Sequence, residues 1–250
     1  MVCIVHTYAK PVLNTPVLVE GLPGIGFVAN ISALHLIQEL RAELFAEISS
    51  SSFQDFTVTA KDGEMRSPIN KLYYHKGRGK ERDIIILYGN TQALTTVGQY
   101  ELCGCVLDMA EELRCRCVMT LGGLKREKKV TLPKLYCAAS DSESLHEAFD
   151  LGAKAIRGHI FGVAGLLVGL GGLKGIKGLC LLAETPGFYP DATAAREILK
   201  AVCRILHLKV DLTKLDLAVE TTMKILESFG LATRPTEKRT GEESRFRWLI

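Results

Sequence analysis

The chain has 250 residues, 47% hydrophobic and 24% charged, with a formal net charge of +3. At this size folding buries roughly 70–75% of the unfolded surface, so stability requires no disulfide or metal staple. The charge balance supplies no field for nucleic acid or anionic lipid, and neither is expected as a partner.

The opening "MVCIVHTYAKPVL" lacks the basic start and long apolar core of a signal peptide, which predicts a cytoplasmic protein. Four short apolar runs follow along the chain: "VLVEG" (17–21), "DIIILYGN" (83–90), "CVMTLGG" (117–123) and "LCLLAETPG" (179–187). Continuous runs rich in Val, Ile and Leu read as strands buried on both faces of a mostly parallel sheet. Helical stretches separate them: "VANISALHLIQELRAEL" after the first, "GQYELCGCVLDMAEELR" after the second and "DATAAREILKAVCRILHL" after the fourth. In that third stretch Ile198, Leu199, Val202, Ile205 and Leu206 form one apolar stripe, and Asp191 stands where an N-cap belongs. A last helix is predicted over 212–229, ended by Gly230. Residues 47–82, with a Lys-Asp-Gly turn and the run "KLYYH", read as an antiparallel excursion at a sheet edge. The expected fold is therefore α/β, a three-layer arrangement with helices on both faces of the sheet. Residues 1–233 form a single α/β domain in this reading. Residues 234–250 form a charged, flexible C-terminal tail with an apolar tip.

The longest uncharged apolar run, "IFGVAGLLVGLGGL" (160–173), is shorter than the roughly 20 residues that span a bilayer. Eight glycines crowd residues 158–178, which implies loops or close backbone packing, either inside the core or at a subunit contact. The eight cysteines include Cys103/Cys105 and Cys115/Cys117, whose spacing is too tight for paired zinc ligands; they read as small buried thiols. No metal or cofactor is expected.

The segment "EGLPGIGF" leaves a strand and opens a helix, as a phosphate-binding loop does. Yet Gly21, Gly24 and Gly26 are spaced G-x-x-G-x-G, with no Lys, Ser or Thr in place to bind phosphate, so neither nucleotide fingerprint is met. Glu20, Asn90, Gln92 and Glu184 stand at strand ends, with Glu101 and Tyr189 near in sequence. Carboxylates gathered at the carboxyl ends of strands would give an enzyme of phosphorylase or hydrolase type, using Glu20, Glu101 or Glu184 for acid/base work. The six histidines have no ligand spacing, and no nucleophile elbow is present. The chain's only tryptophan, Trp248, sits with Leu249 and Ile250 at the end of a segment holding eight charged residues. Those three residues are a candidate anchor for a partner's pocket.

The ordered segments "EGLPGIGFVANISALHLI", "YGNTQALTTVGQYEL", "TLGGL", "GVAGLLVGL" and "LLAETPGFYPDATAAREIL" resemble the archaeal branch of the proteasome assembly chaperone family, the type-2 chaperone homologues. The resemblance spans about residues 15–230. It implies an α/β fold akin to purine nucleoside phosphorylases, homo-oligomers, and binding to proteasome α subunits without catalysis. It also implies a C-terminal tail of the pattern hydrophobic-Tyr-any residue: Trp248 and Ile250 match by position, and Leu249 departs from the tyrosine. On this reading "GLPGIG" is a strand-to-helix turn that binds no nucleotide.

Overall fold

The computed structural model of the chain describes residues 3–55, 57–59, 63–126 and 132–228. In chain order the elements are β1 (Cys3–Thr7), β2 (Val17–Gly21), α1 (Val28–Leu40), β3 (Glu43–Ser50), β4 (Val58–Thr59), β5 (Met65–Arg66), β6 (Asn70–His75), β7 (Ile84–Gly89), α2 (Thr96–Glu112), β8 (Cys117–Lys125), β9 (Leu135–Ala139), α3 (Ser142–Asp150), β10 (Lys154–Ala155), α4 (Val163–Leu173), β11 (Lys177–Thr185), α5 (Ala192–Leu206) and α6 (Leu215–Ser228). Among the described residues, nine strands form one sheet in the order β1-β3-β6-β7-β2-β8-β11-β9-β10, and β4 pairs with β5 alone.

The four apolar runs become the four central strands, β7, β2, β8 and β11, all parallel to one another. Alternate residues of each run face opposite layers, which is why the runs carry no polar alternation. Val17, Val19, Ile84 and Ile86 pack under α1 and α5, while Leu18, Ile85 and Leu87 pack under α2 and α4. The three-layer α/β class follows from this two-sided burial. The excursion expected over 47–82 is antiparallel: β3 pairs with β6 and with β1, and β6 pairs with β7. At the other flank β9 is antiparallel to β11, so parallel pairing is concentrated in the middle of the sheet.

Helix α1 is shorter than the apolar pattern suggests. Arg41 takes a left-handed conformation (φ 49°) and the Ala42 N–H donates to the Ile37 carbonyl at 3.0 Å, closing the helix and releasing β3 two residues later. Asp191 caps α5 as expected, accepting from the Thr193 and Ala194 N–H groups at 3.0 Å each, and its other oxygen accepts from the Thr185 hydroxyl at 2.8 Å. Asp191→Ala is expected to cost about 1–2 kcal/mol of stability. Thermal unfolding of the variant beside Thr193→Ala, which keeps the cap, checks this. The glycine-rich run forms α4. A side chain at Gly165 would drive into the backbone carbonyl of Ile160, so the close approach implied by the sequence lies, at this position, within the chain.

No described helix is long and apolar enough to cross a membrane. The cysteines are free thiols; Cys103 is buried in the core and Cys105 lies at its border. The expected cap at Gly230, the boundary at residue 233, and Trp248, Leu249 and Ile250 lie outside the described residues.

Candidate functional site

The carboxyl ends of β2, β7 and β8 open into a crevice of about 360 Å³, within the range of small-molecule pockets. Its walls are the turn after β2, the loop after β7 from Asn90 to Leu94, Gly122 to Leu124 of β8, and the segment between β10 and α4. Leu94 and Phe161 stand exposed at its mouth.

The "GLPGIG" segment is the strand-to-helix turn the sequence predicts. Gly26 (φ 64°) and Phe27 (φ 52°) both adopt left-handed backbone, and the Phe27 N–H donates to the Gly24 carbonyl at 2.9 Å. Only glycine fits at position 26: a Cβ there would lie 2.7 Å from the Thr185 hydroxyl oxygen. The Gly26 carbonyl accepts from the Asp191 N–H at 3.0 Å, which ties the turn to the start of α5. From the opposite wall, the Gln92 side-chain amide donates to the Pro23 carbonyl. These contacts fix the turn as a wall. Among the described residues no lysine or arginine lines the crevice to hold a phosphate.

The structure separates the strand-end residues that the sequence groups together. Glu20, Asn90 and Gln92 meet in the crevice. Glu184 turns away: it accepts from Arg126 Nε at 3.1 Å, the Tyr136 hydroxyl at 3.0 Å and the Lys134 N–H at 3.3 Å. Burial pushes the Glu184 carboxyl up, but these donors outweigh it and hold the carboxyl below its usual value. Its role is to join β8, β9 and β11. Glu101 on α2 and the exposed Tyr189 do not line the crevice. Asn90 is structural, its Oδ1 accepting from the Ile69 N–H at 2.8 Å.

Glu20 is thus the only carboxylate among the described residues of the crevice. Its Oε1 accepts from the Leu22 N–H at 2.8 Å, and burial pushes its carboxyl up to about 8 against the opposing pull of the Leu22 and Leu121 N–H groups. A single buried acid with no second carboxylate does not make the acid/base pair that the strand-end grouping suggests. Gln54, Gln99, Ile156, His159 and Phe161 join the lining from segments that the sequence reading left unassigned to any site. Among the described residues no group of His, Cys, Asp and Glu is placed to hold a metal ion.

Residues 18–229 match the model of the PAC2 family. The chain belongs to the PAC2 family. An uncharacterized protein of Methanocaldococcus jannaschii is 32% identical over 220 residues, covering 86% of this chain and 84% of that protein. Among solved structures, PbaB of Pyrococcus furiosus, an archaeal proteasome activator, superposes with a TM-score of 0.81 at 34% identity, covering 92% of this chain and 99% of PbaB. PbaA of the same organism, an archaeal homolog of proteasome-assembly chaperone, superposes with a TM-score of 0.75 at 23% identity, covering 92% of this chain and 97% of PbaA. This PAC2 chain shares the fold of those proteins.

Proposed function

We propose that the chain is an oligomeric, chaperone-like protein that binds proteasome α subunits through its C-terminal tail. The observation that carries this reading is the 34% identity with PbaB along nearly the full length of both chains. In this reading residues 1–233 are one domain that builds the oligomer. Residues 234–250 are a charged tether that presents Trp248, Leu249 and Ile250. Several such tails on one symmetric scaffold act together: each binds weakly, and the scaffold raises the effective concentration of the next. Leu249 lacks the hydroxyl of a tyrosine, so anchoring rests on the apolar bulk of Trp248 and Ile250.

Calorimetry with proteasome α subunits from the same source tests this, comparing the full chain with a version lacking Trp248–Ile250. Binding by the full chain and its loss on truncation are expected. Equal binding by both forms would move the contact to the globular surface, and no binding by either would remove the α-subunit reading.

A further inference from the structure

Glu20 and Thr120, opposite each other in the sheet register, each carry a buried side-chain oxygen without a hydrogen-bond partner. Glu20 is 1% exposed at the floor of the crevice, and its Oε2 is the unpaired atom. Other buried acids of the chain are tied down: Asp83 accepts from the Asn14 N–H at 2.7 Å and the Gly77 N–H at 2.8 Å, and Glu184 has three donors. A buried polar group left unpaired destabilises the fold, whereas Leu18 and Leu87 occupy the same layer without that penalty. The orphan oxygen marks a place where a partner atom belongs.

The surroundings define the partner's chemistry. The titratable groups facing Glu20 are Cys103 on α2 and Cys180 on β11, both buried thiols that burial pushes up to about 12 and thus neutral. The Thr120 hydroxyl beside Glu20 has no hydrogen-bond partner either, so two neighbouring polar groups are left open. With its own carboxyl raised by burial, Glu20 is a neutral acid at neutral pH and offers a proton to an acceptor. The walls combine apolar side chains such as Ile25 and Leu121 with Gln54, Asn90, Gln92 and Gln99, four of the chain's eight amide residues.

We propose that this crevice binds a small uncharged molecule with an apolar body and a carbonyl or ring-nitrogen acceptor that takes the hydrogen bond of the Glu20 carboxyl. The site is independent of the tail, so it stands or falls separately from the binding of proteasome subunits.

Saturation-transfer NMR and thermal shift on the full chain test it, with nicotinamide, benzamide and hypoxanthine as probes and benzoate and benzylamine as charged controls. Two variants accompany the native protein: Glu20→Met, and Ala164→Trp, which adds bulk to the crevice wall from α4 and leaves Glu20 in place. At least one uncharged probe is expected to bind at millimolar concentration and to lose about tenfold in affinity in Glu20→Met, the equivalent of ~1.4 kcal/mol. Ala164→Trp, checked for native circular dichroism, is expected to abolish the signal. Absence of binding by every uncharged probe, preferential binding of benzylamine, or binding undiminished by Ala164→Trp would overturn the proposal.

Discussion

Replacing Glu20 with glutamine is expected to remove a fall in stability that the native chain shows as pH rises from about 5 to about 9. The Glu20 carboxyl ionises near 4.5 when exposed and near 8 in the folded chain, because burial opposes its charge. Between those values the unfolded chain has lost this proton and the folded chain retains it. Folding then takes up a proton, and stability drops with pH. The contribution is fully present below the unfolded value and is lost as pH climbs through about 8. At about 1.4 kcal/mol per unit the swing is about 3–5 kcal/mol, large against a total stability of about 5–15 kcal/mol. Glutamine keeps the shape and the acceptor for the Leu22 N–H but does not titrate, so the variant matches the native chain in acid and exceeds it in alkali. Urea unfolding at one fixed protein concentration across the pH range measures the difference. Parallel pH curves for the two proteins would mean that Glu20 reaches water or a cation in solution, and the buried neutral acid would have to be given up.

The same residue separates what the sequence makes legible from what it conceals. "VLVEG" and "DIIILYGN" reveal the central strands because burial on both faces demands unbroken apolar runs. Asp191 is legible because a short acceptor before an amphipathic stretch caps a helix. The end of α1 is hidden: an arginine, not a glycine, takes the left-handed position at residue 41, held there by the strand that follows. Strand β9 and helix α3 are short and half-buried and β10 is two exposed residues, so all three give too little period to detect. For the crevice, Glu20, Asn90 and Gln92 are visible as polar ends of apolar runs. Gln54, Ile156 and Phe161 arrive through tertiary packing from loops without a motif. Scarcity was the available signal, since half of the few amides converge on one place. Glu184 is the converse case, a strand-end carboxylate whose position suggests chemistry and whose three donors make it a brace.

The second large effect concerns the sheet that holds this crevice open. Ile86→Ala is expected to destabilise the fold by about 2–5 kcal/mol, and Ile86→Val by about 0.5–1.5 kcal/mol. Ile86 is fully buried on β7, opposite Val19 of β2, in the layer beneath α1. Truncation removes apolar surface from a close-packed interior and leaves a cavity that two hydrogen-bonded strands cannot collapse to fill. The position also bears on the site: Ile86 lies two strand residues before Tyr88, and β7 then ends at Gly89, directly ahead of Asn90 and Gln92. If β7 loosens, the Gln92 bond to the Pro23 carbonyl loosens with it, so hydrogen exchange should rise across the turn after β2 as well as in β7. Val12, 84% exposed, serves as the control, with Val12→Ala expected to stay within about 0.5 kcal/mol of the native chain. Guanidinium unfolding of the three variants gives the test. An Ile86→Ala cost no larger than that of Val12→Ala would mean that the parallel centre is not the close-packed frame of the crevice, and the rigidity assigned to its walls would fail with it.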